Sequence, residues 1–267
     1  MTDQISPSEL TVQRVRHPVK LRLLQVLRTR QLSPNQLLVT LGGEPLSDFV
    51  TASFDNHVKL MWGPDGLSAP ELPPLGPDGP QWAPGAARPL MRDYTPRRFD
   101  AQALELDIEF ALHGDGPAAN WARQARPGQT LAVGGPKGSF VVPMGFDWHL
   151  LVGDDSALPA IARRLEELPE GKRVTVVLAL HEADRRALST RADLNLVWVD
   201  EPAQLPATVQ ALQLPPGIGH AWAGGEASAI ADVRRVLVGH HGLPKERVRA
   251  SAYWKRGQAD HHESLEG

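Results

Sequence analysis

The chain has 267 residues, a net charge of −3 and no cysteine. That length suits two domains of about 100–150 residues better than one core, and the acidic balance excludes a general attraction for nucleic acid or anionic membrane. With that net charge an anionic ligand must meet a local basic patch, and the absence of cysteine excludes disulfides, thiolate metal sites, iron–sulfur clusters and cysteine nucleophiles.

The opening MTDQISPSEL lacks the charged start and apolar run of a secretory signal, and no stretch approaches the roughly 18–20 apolar residues of a membrane span. A cytoplasmic protein is expected. Residues 21–62 and 89–142 then read as β-structure. LRLLQVLRTR, NQLLVTLGG and HVKLMW are short runs broken by Pro, Gly, Asn and Asp, as in antiparallel strands with tight turns. Residues 63–90 are dense in Pro and Gly and predict an exposed loop without helix or central strand. LELDIEFALH alternates from Leu104 to Leu112, which predicts one face in a core and Glu105, Asp107 and Glu109 toward water. TLAVGG adds another strand, and short strands at this spacing predict a barrel or sandwich.

Near Asp147 the pattern changes. HLLVG, VTVVLAL, NLVWVD and HAWAGG read as buried strands, with helices in DDSALPAIARRLEEL, around Ala203–Leu212, and in ASAIADVRRVLVGHH. Strands alternating with helices predict βαβ units and a parallel sheet. The organisation expected is therefore an antiparallel β-barrel over 1–145 followed by a parallel-sheet α/β domain over 146–267. The tail QADHHESLEG is short and polar, with no metal site or regular structure assigned to it.

Four segments carry candidate chemistry. In Arg92-Asp93-Tyr94-Thr95 a strand projects Arg92 and Tyr94 from one face and Asp93 and Thr95 from the other, giving a phosphate partner, a ring cover and a hydroxyl. A strand ending in a Pro turn with a solvated Arg accounts for the same four residues. HGDGPAANWA follows the alternating strand and opens a helix with Pro in its first turn; free N–H groups there suit a pyrophosphate, and a plain strand–turn–helix connection suits the sequence equally. In Gly134-Gly135-Pro136-Lys137-Gly138-Ser139-Phe140 three glycines allow close backbone approach to a flat ligand or form a tight turn. Gly153-Asp154-Asp155-Ser156-Ala157 joins a strand to a helix. Two carboxylates repel a pyrophosphate, so Asp154, Asp155 and Ser156 read as a helix cap.

Taken in order, HVKL, RDYT, HGDGPAANWA, GGPKGSF, GDDSALPAI, AWAGGEA and SAYWKRGQ resemble the siderophore-interacting protein family, FAD-dependent ferric-siderophore reductases of the ferredoxin-reductase-like superfamily. The resemblance implies that Arg92 meets the FAD pyrophosphate, with Asp93 beside it, that Tyr94 packs on the isoalloxazine and that Thr95 sits near flavin N5. It implies that His113, Gly116, Pro117, Ala118 and Ala119 line the diphosphate and adenine side and that Gly138 and Ser139 lie beside the flavin. Gly153, Asp154, Asp155, Ser156 and Ala157, with Gly224, Gly225, Glu226 and Trp254, would border the nicotinamide nucleotide. Lys59, Lys137, Lys255 and Arg256 would supply the basic groups for an anionic iron chelate.

The reaction so implied takes electrons from NADPH or NADH through FAD to Fe(III) in a siderophore, with a monomer as the expected state. Arg185 and Arg186 suit an NADP 2′-phosphate, while Glu182 and Asp184 suit the ribose diol of NAD. Two other readings stay open: a flavoprotein using reduced ferredoxin as donor or a protein as acceptor, and a siderophore or flavin carrier without turnover.

Overall fold

The computed structural model describes residues 10–76, 79–85, 87–112, 114, 116–257 and 263–264. The chain divides into two compact units, one of Gln13–Val141 and one running on from Val142.

The first unit is antiparallel. β1 (Gln13–Arg16), β2 (Leu21–Ser33), β3 (Gln36–Gly42) and β4 (Val58–Trp62) precede the Pro/Gly-rich stretch. That stretch holds a two-residue ribbon, β5 (Leu75–Gly76) with β6 (Gly79–Pro80). Then come β7 (Leu90–Tyr94), β8 (Pro96–Asp100), β9 (Glu105–Ala111), α1 (Pro117–Gln124), β10 (Thr130–Gly134) and β11 (Gly138–Val141). Seven strands pair in the order β7-β4-β10-β2-β3-β9-β8, and β1 pairs with β11. The two edge strands, β7 and β8, are one run of chain joined through Thr95. A sheet whose edges are covalently continuous must curl on itself, which makes the half-barrel that the spacing of strands predicts. Its core includes Leu24, Val39, Leu41, Leu60, Trp62, Ile108, Phe110 and Leu131. One end is stopped by α1, whose Trp121 packs 5.6 Å from Phe110 and 6.1 Å from Trp62 between ring centroids.

The alternating strand departs from expectation on one face. Asp107 and Glu109 of β9 are buried instead of facing water. β9 lies between β3 and β8, and the Thr40 and Arg98 side chains of those neighbours cover its polar face. Asp107 accepts from Thr40 Oγ1 at 2.6 Å and from Arg98 Nε at 2.8 Å, and these bonds offset burial of the carboxylate. Leu104 falls in the preceding turn, not in the strand.

The second unit is built on one six-stranded sheet. Its elements are β12 (Trp148–Gly153), α2 (Leu158–Glu167), β13 (Arg173–Ala179), β14 (Asp193–Val199), α3 (Leu205–Ala211), β15 (Gly219–Glu226), α4 (Ala227–Arg235) and β16 (Val248–Trp254). β12 through β16 pair in parallel, as the strand–helix alternation predicts. The β13–β14 connection holds only a short 3-10 turn in place of a helix. One face of the sheet packs Leu150, Val152, Ala221 and Ala223 against Leu205 and Val209 of α3 and Ile230 and Val233 of α4. The tail also departs from expectation: Glu263–Ser264 form β17, antiparallel to Ser251–Ala252. From β12 the chain winds outward to β13 and β14, then returns past β12 to β15. The order therefore reverses between β12 and β15, and in open α/β sheets the carboxyl ends at such a reversal are where ligands bind.

Candidate functional site

In the first unit the RDYT segment is β7 running into Thr95. Lys59 lies opposite Asp93 in the β4–β7 ladder, and the two form an ion pair at 2.9 Å. Tyr94 lays its half-buried ring against Phe110 at 4.6 Å, so a core aromatic fixes its plane. Arg92 is half-buried and donates from Nη1 to the Met91 carbonyl at 2.6 Å. Thr95, at the junction of the two edge strands, is buried.

α1 begins at Gly116, its N-cap, with Pro117 at the first helical position. No side chain caps this helix among the described residues, and its first turn holds no acid. A Cβ at Gly116 would meet nothing within 4 Å. The first-turn N–H groups thus stand at an open, electropositive end. Ala118 and Ala119 are buried, so their part in any site falls to the backbone. His113 lies outside the described residues.

β11 carries Gly138 and Ser139 into the ladder with β1, where they face Arg16 and Val15. A Cβ on Gly138 would sit 2.8 Å from the Val15 carbonyl, so close strand packing accounts for this glycine. Buried Ser139 shares a hydrogen bond with His17 Nε2 at 2.7 Å and donates to Asn56 Oδ1 at 2.9 Å. Asn56 also donates to the Gly138 carbonyl at 2.5 Å. Arg22, itself buried, holds the Gly135 carbonyl at 3.1 Å. Lys137 is exposed and has no ionic partner among the described residues.

In the second unit the strand ends converge on Asp154. Its Oδ1 accepts from Ser156 N at 3.0 Å and Ser156 Oγ at 2.5 Å; its Oδ2 accepts from Glu226 N at 2.8 Å and Trp254 Nε1 at 2.9 Å. Burial, and then the neighbouring Asp155, push its pKa up to about 6. The expected side-chain cap is therefore corrected. α2 has Ala157 as N-cap without a side-chain bond, and Asp154 turns away to bind other strands. Asp155 Oδ1 accepts from the local Ser156 N–H at 2.9 Å. Gly153 is close-packed, since a Cβ there would lie 2.5 Å from Ala157 Cβ and 2.8 Å from the Gly224 carbonyl. Gly225 has φ +144 and its missing Cβ leaves room for the Asp154 carboxylate, 2.5 Å away. Glu226 caps α4, accepting from Ser228 N at 2.8 Å and Ala229 N at 3.0 Å. Burial raises its pKa, but bonds from Ser228, Ala229 and Arg256 outweigh that and hold it below the usual range. Lys255 and Arg256 follow Trp254 on the surface.

Motif reading missed Asn56, His17 and Arg22. A lone Asn before HVKL signals only a turn, and an Arg within LRLL looks like an outward strand residue. Nothing local in the sequence shows that each reaches a distant loop.

Two family models match. Residues 25–140 fit the siderophore-interacting FAD-binding domain and residues 146–257 fit the siderophore-interacting protein model. An Escherichia coli protein named NADPH-dependent ferric-chelate reductase is 37% identical over 249 residues, covering 91% of this chain and 96% of the relative. The ferric vibriobactin reductase of Vibrio cholerae is 32% identical, covering 89% and 90%. The crystal structure of a siderophore utilization protein from T. fusca superposes with a TM-score of 0.83 at 34% identity, covering 94% and 98%.

Proposed function

The chain belongs to the siderophore-interacting protein family, and from that premise we propose that it is a flavin-dependent reductase carrying electrons from NADPH to Fe(III) in a siderophore. The observation that carries the residue assignments is the start of α1. A helix N-terminus with no side-chain cap and no first-turn acid among the described residues, beginning at a glycine with open space beside it, follows a strand one place from the β7–β8 junction in the rolled sheet. That donor set fits the diphosphate of FAD, and no described acid at the helix start opposes it.

Bound FAD would supply the exchange between a two-electron donor and one-electron acceptors that reduction of two Fe(III) per NADPH requires. The chain's own work is binding and orientation. The N–H groups of Ala118 and Ala119, with the Arg92 guanidinium, would hold the diphosphate. Tyr94, fixed by Phe110, would offer a flat face to the ring system, and Thr95 a hydroxyl at its edge. His17 and Asn56 hold Ser139, and Arg22 holds the Gly135 carbonyl, so the glycine-rich turn is rigid before any ligand arrives. In the second unit, the crevice beside Gly153–Ala157, Gly225 and Glu226 is assigned to the nicotinamide nucleotide, which the NADPH-dependent relative supports. Lys59, Lys137, Lys255 and Arg256 are assigned to the anionic chelate. Iron release follows reduction because hard, anionic oxygen ligands hold Fe(II) less tightly than Fe(III).

The test is the absorption spectrum of the purified protein, repeated anaerobically with NADPH and then with ferric citrate and a ferrous trap. A flavin spectrum that bleaches with NADPH and recovers as trapped Fe(II) accumulates is expected. Protein that stays colourless after added FAD refutes the reading.

A further inference from the structure

Asp154 is buried where the strand ends of the second unit converge, and beyond bordering the nicotinamide nucleotide the reductase reading gives its carboxylate no task. Burying a carboxylate is costly where an apolar side chain would pack, so four donors converging on it call for a reason. Those donors have a pattern. Asp154 sits just past β12, Glu226 N–H ends β15, and the Trp254 indole ends β16, so one side chain ties three parallel strand ends. The β15–β16 ladder also slips between Gly225 and Glu226, which pairs Glu226 with Trp254 and turns the end of β16. Such an irregularity re-aims the side chains beyond it. Beyond it are Lys255 and Arg256, both exposed. A second bond on this segment, from Arg256 N to Glu226 Oε1, is long at 3.5 Å. The Asp154–Trp254 bond, at 2.9 Å, is the shorter hold.

We propose that Asp154 is a positioning residue: by gripping the Trp254 indole and the Glu226 N–H on one oxygen, it fixes where Lys255 and Arg256 present their charges to the anionic ferric chelate. This rests on the reductase reading for the chelate and on the geometry above for the grip. A carboxylate held at the reversal point of the sheet, and shifted from its ordinary ionisation, is the kind of group found where function resides. Around it the charged neighbours are Asp155 on its own turn, Glu226 at the start of α4, and Lys255 and Arg256 beyond β16.

Two variants separate grip from mere packing. Trp254→Phe keeps the aromatic body and removes only the donor; Asp154→Asn keeps the volume and removes the charge. In the full-length protein the Trp254 indole N–H resonance, identified by its loss in Trp254→Phe, should move with pH around a midpoint near 6 and cease to do so in Asp154→Asn. With NADPH as donor, KM for ferric citrate should rise on the order of five-fold in each variant, as expected when a charge-assisted bond is lost. KM for the uncharged Fe(III)–maltolate complex should rise much less, and the double variant should add little to either single one. An indole resonance indifferent to Asp154→Asn overturns the grip. Equal KM changes for the charged and uncharged chelates, or none, overturn the positioning role while leaving the reductase reading standing. A wild-type protein that reduces neither chelate refutes that reading, and the role assigned to Asp154 falls with it.

Discussion

His149 supplies a stability prediction that needs no ligand. It is buried on β12, opposite His220 in the ladder, and neither of its ring nitrogens has a hydrogen-bond partner. Phe146 lies edge-on at 6.0 Å, and burial, then the charges of Arg164, His220 and Lys172, push the imidazole pKa down to about 2. A base whose pKa is depressed in the folded state is protonated first in the unfolded chain. Below pH 6.5 the unfolded state therefore binds a proton that the folded state refuses, and stability falls as pH falls; above 6.5 the group contributes no slope. The slope is about 1.4 kcal/mol per pH unit, or about 2 kcal/mol between pH 6.5 and 5. Asp154 acts in the opposite sense. Its folded pKa of about 6 exceeds the ordinary 3.8, so in that window the folded state binds the extra proton and gains stability as pH falls. The two slopes offset each other in the wild type between roughly pH 4 and 6. His149→Leu removes one of them. Urea unfolding at pH 7.5, 6.5, 5.5 and 4.5 should show the variant gaining on the wild type by about 2 kcal/mol between neutral pH and pH 5. At pH 7.5 the variant should be no less stable, because two unpaired nitrogens leave the core. Stability curves that run parallel from pH 7.5 to 4.5 would refute the argument.

Three further outcomes follow from the site. Lys137 has no ionic partner among the described residues whereas Lys59 is paired with Asp93, so Lys137→Ala should raise KM for ferric citrate more than Lys59→Ala, and both should reduce its salt sensitivity. Steady-state kinetics at two ionic strengths check this, and an unchanged KM removes the basic groups from the proposal. Gly116→Asp places a carboxylate on the open end of α1; melting should show a gain of about 0.5 kcal/mol from the cap and the helix dipole, while flavin fluorescence titration shows FAD affinity reduced about ten-fold. Gly225→Ala forces a side chain into a left-handed backbone and against the Asp154 carboxylate, so the protein should lose about 2–4 kcal/mol in urea unfolding.

The layers of the fold were legible because each has its own period. NQLLVTLGG and HVKLMW broke at turns, and HLLVG and VTVVLAL ran apolar without alternation, which is how strands covered on both faces must read. What periodicity lacks is knowledge of the neighbour. Glu105, Asp107 and Glu109 alternate as a solvent face does, yet Thr40, 67 residues away, and Arg98, on the preceding strand, both bond Asp107 and cover the polar face. Asp154 failed in the same way. Asp-Asp-Ser before a helix is a local cap signal, and although Asp154 Oδ1 does bind nearby Ser156, its Oδ2 partners, Glu226 and Trp254, lie 72 and 100 residues away.

The glycines make the same point about function. In a motif, a glycine suggests a ligand's backbone approach, and several here do stand in motifs that the family resemblance assigns to nucleotide binding. Their missing side chains are nonetheless spoken for by the protein itself: Gly138 by the carbonyl of Val15, Gly153 by Ala157 and the Gly224 carbonyl, Gly225 by Asp154. Gly116 differs, because nothing stands where its Cβ would be. A motif thus mixes residues that build the crevice with residues that face into it. Occupancy of the absent Cβ separates them: substitution at the first three should cost folding before it costs binding, and at Gly116 the order should reverse. That reversal is what makes Gly116→Asp, gaining stability while losing FAD, the variant that tells a ligand's glycine from the fold's.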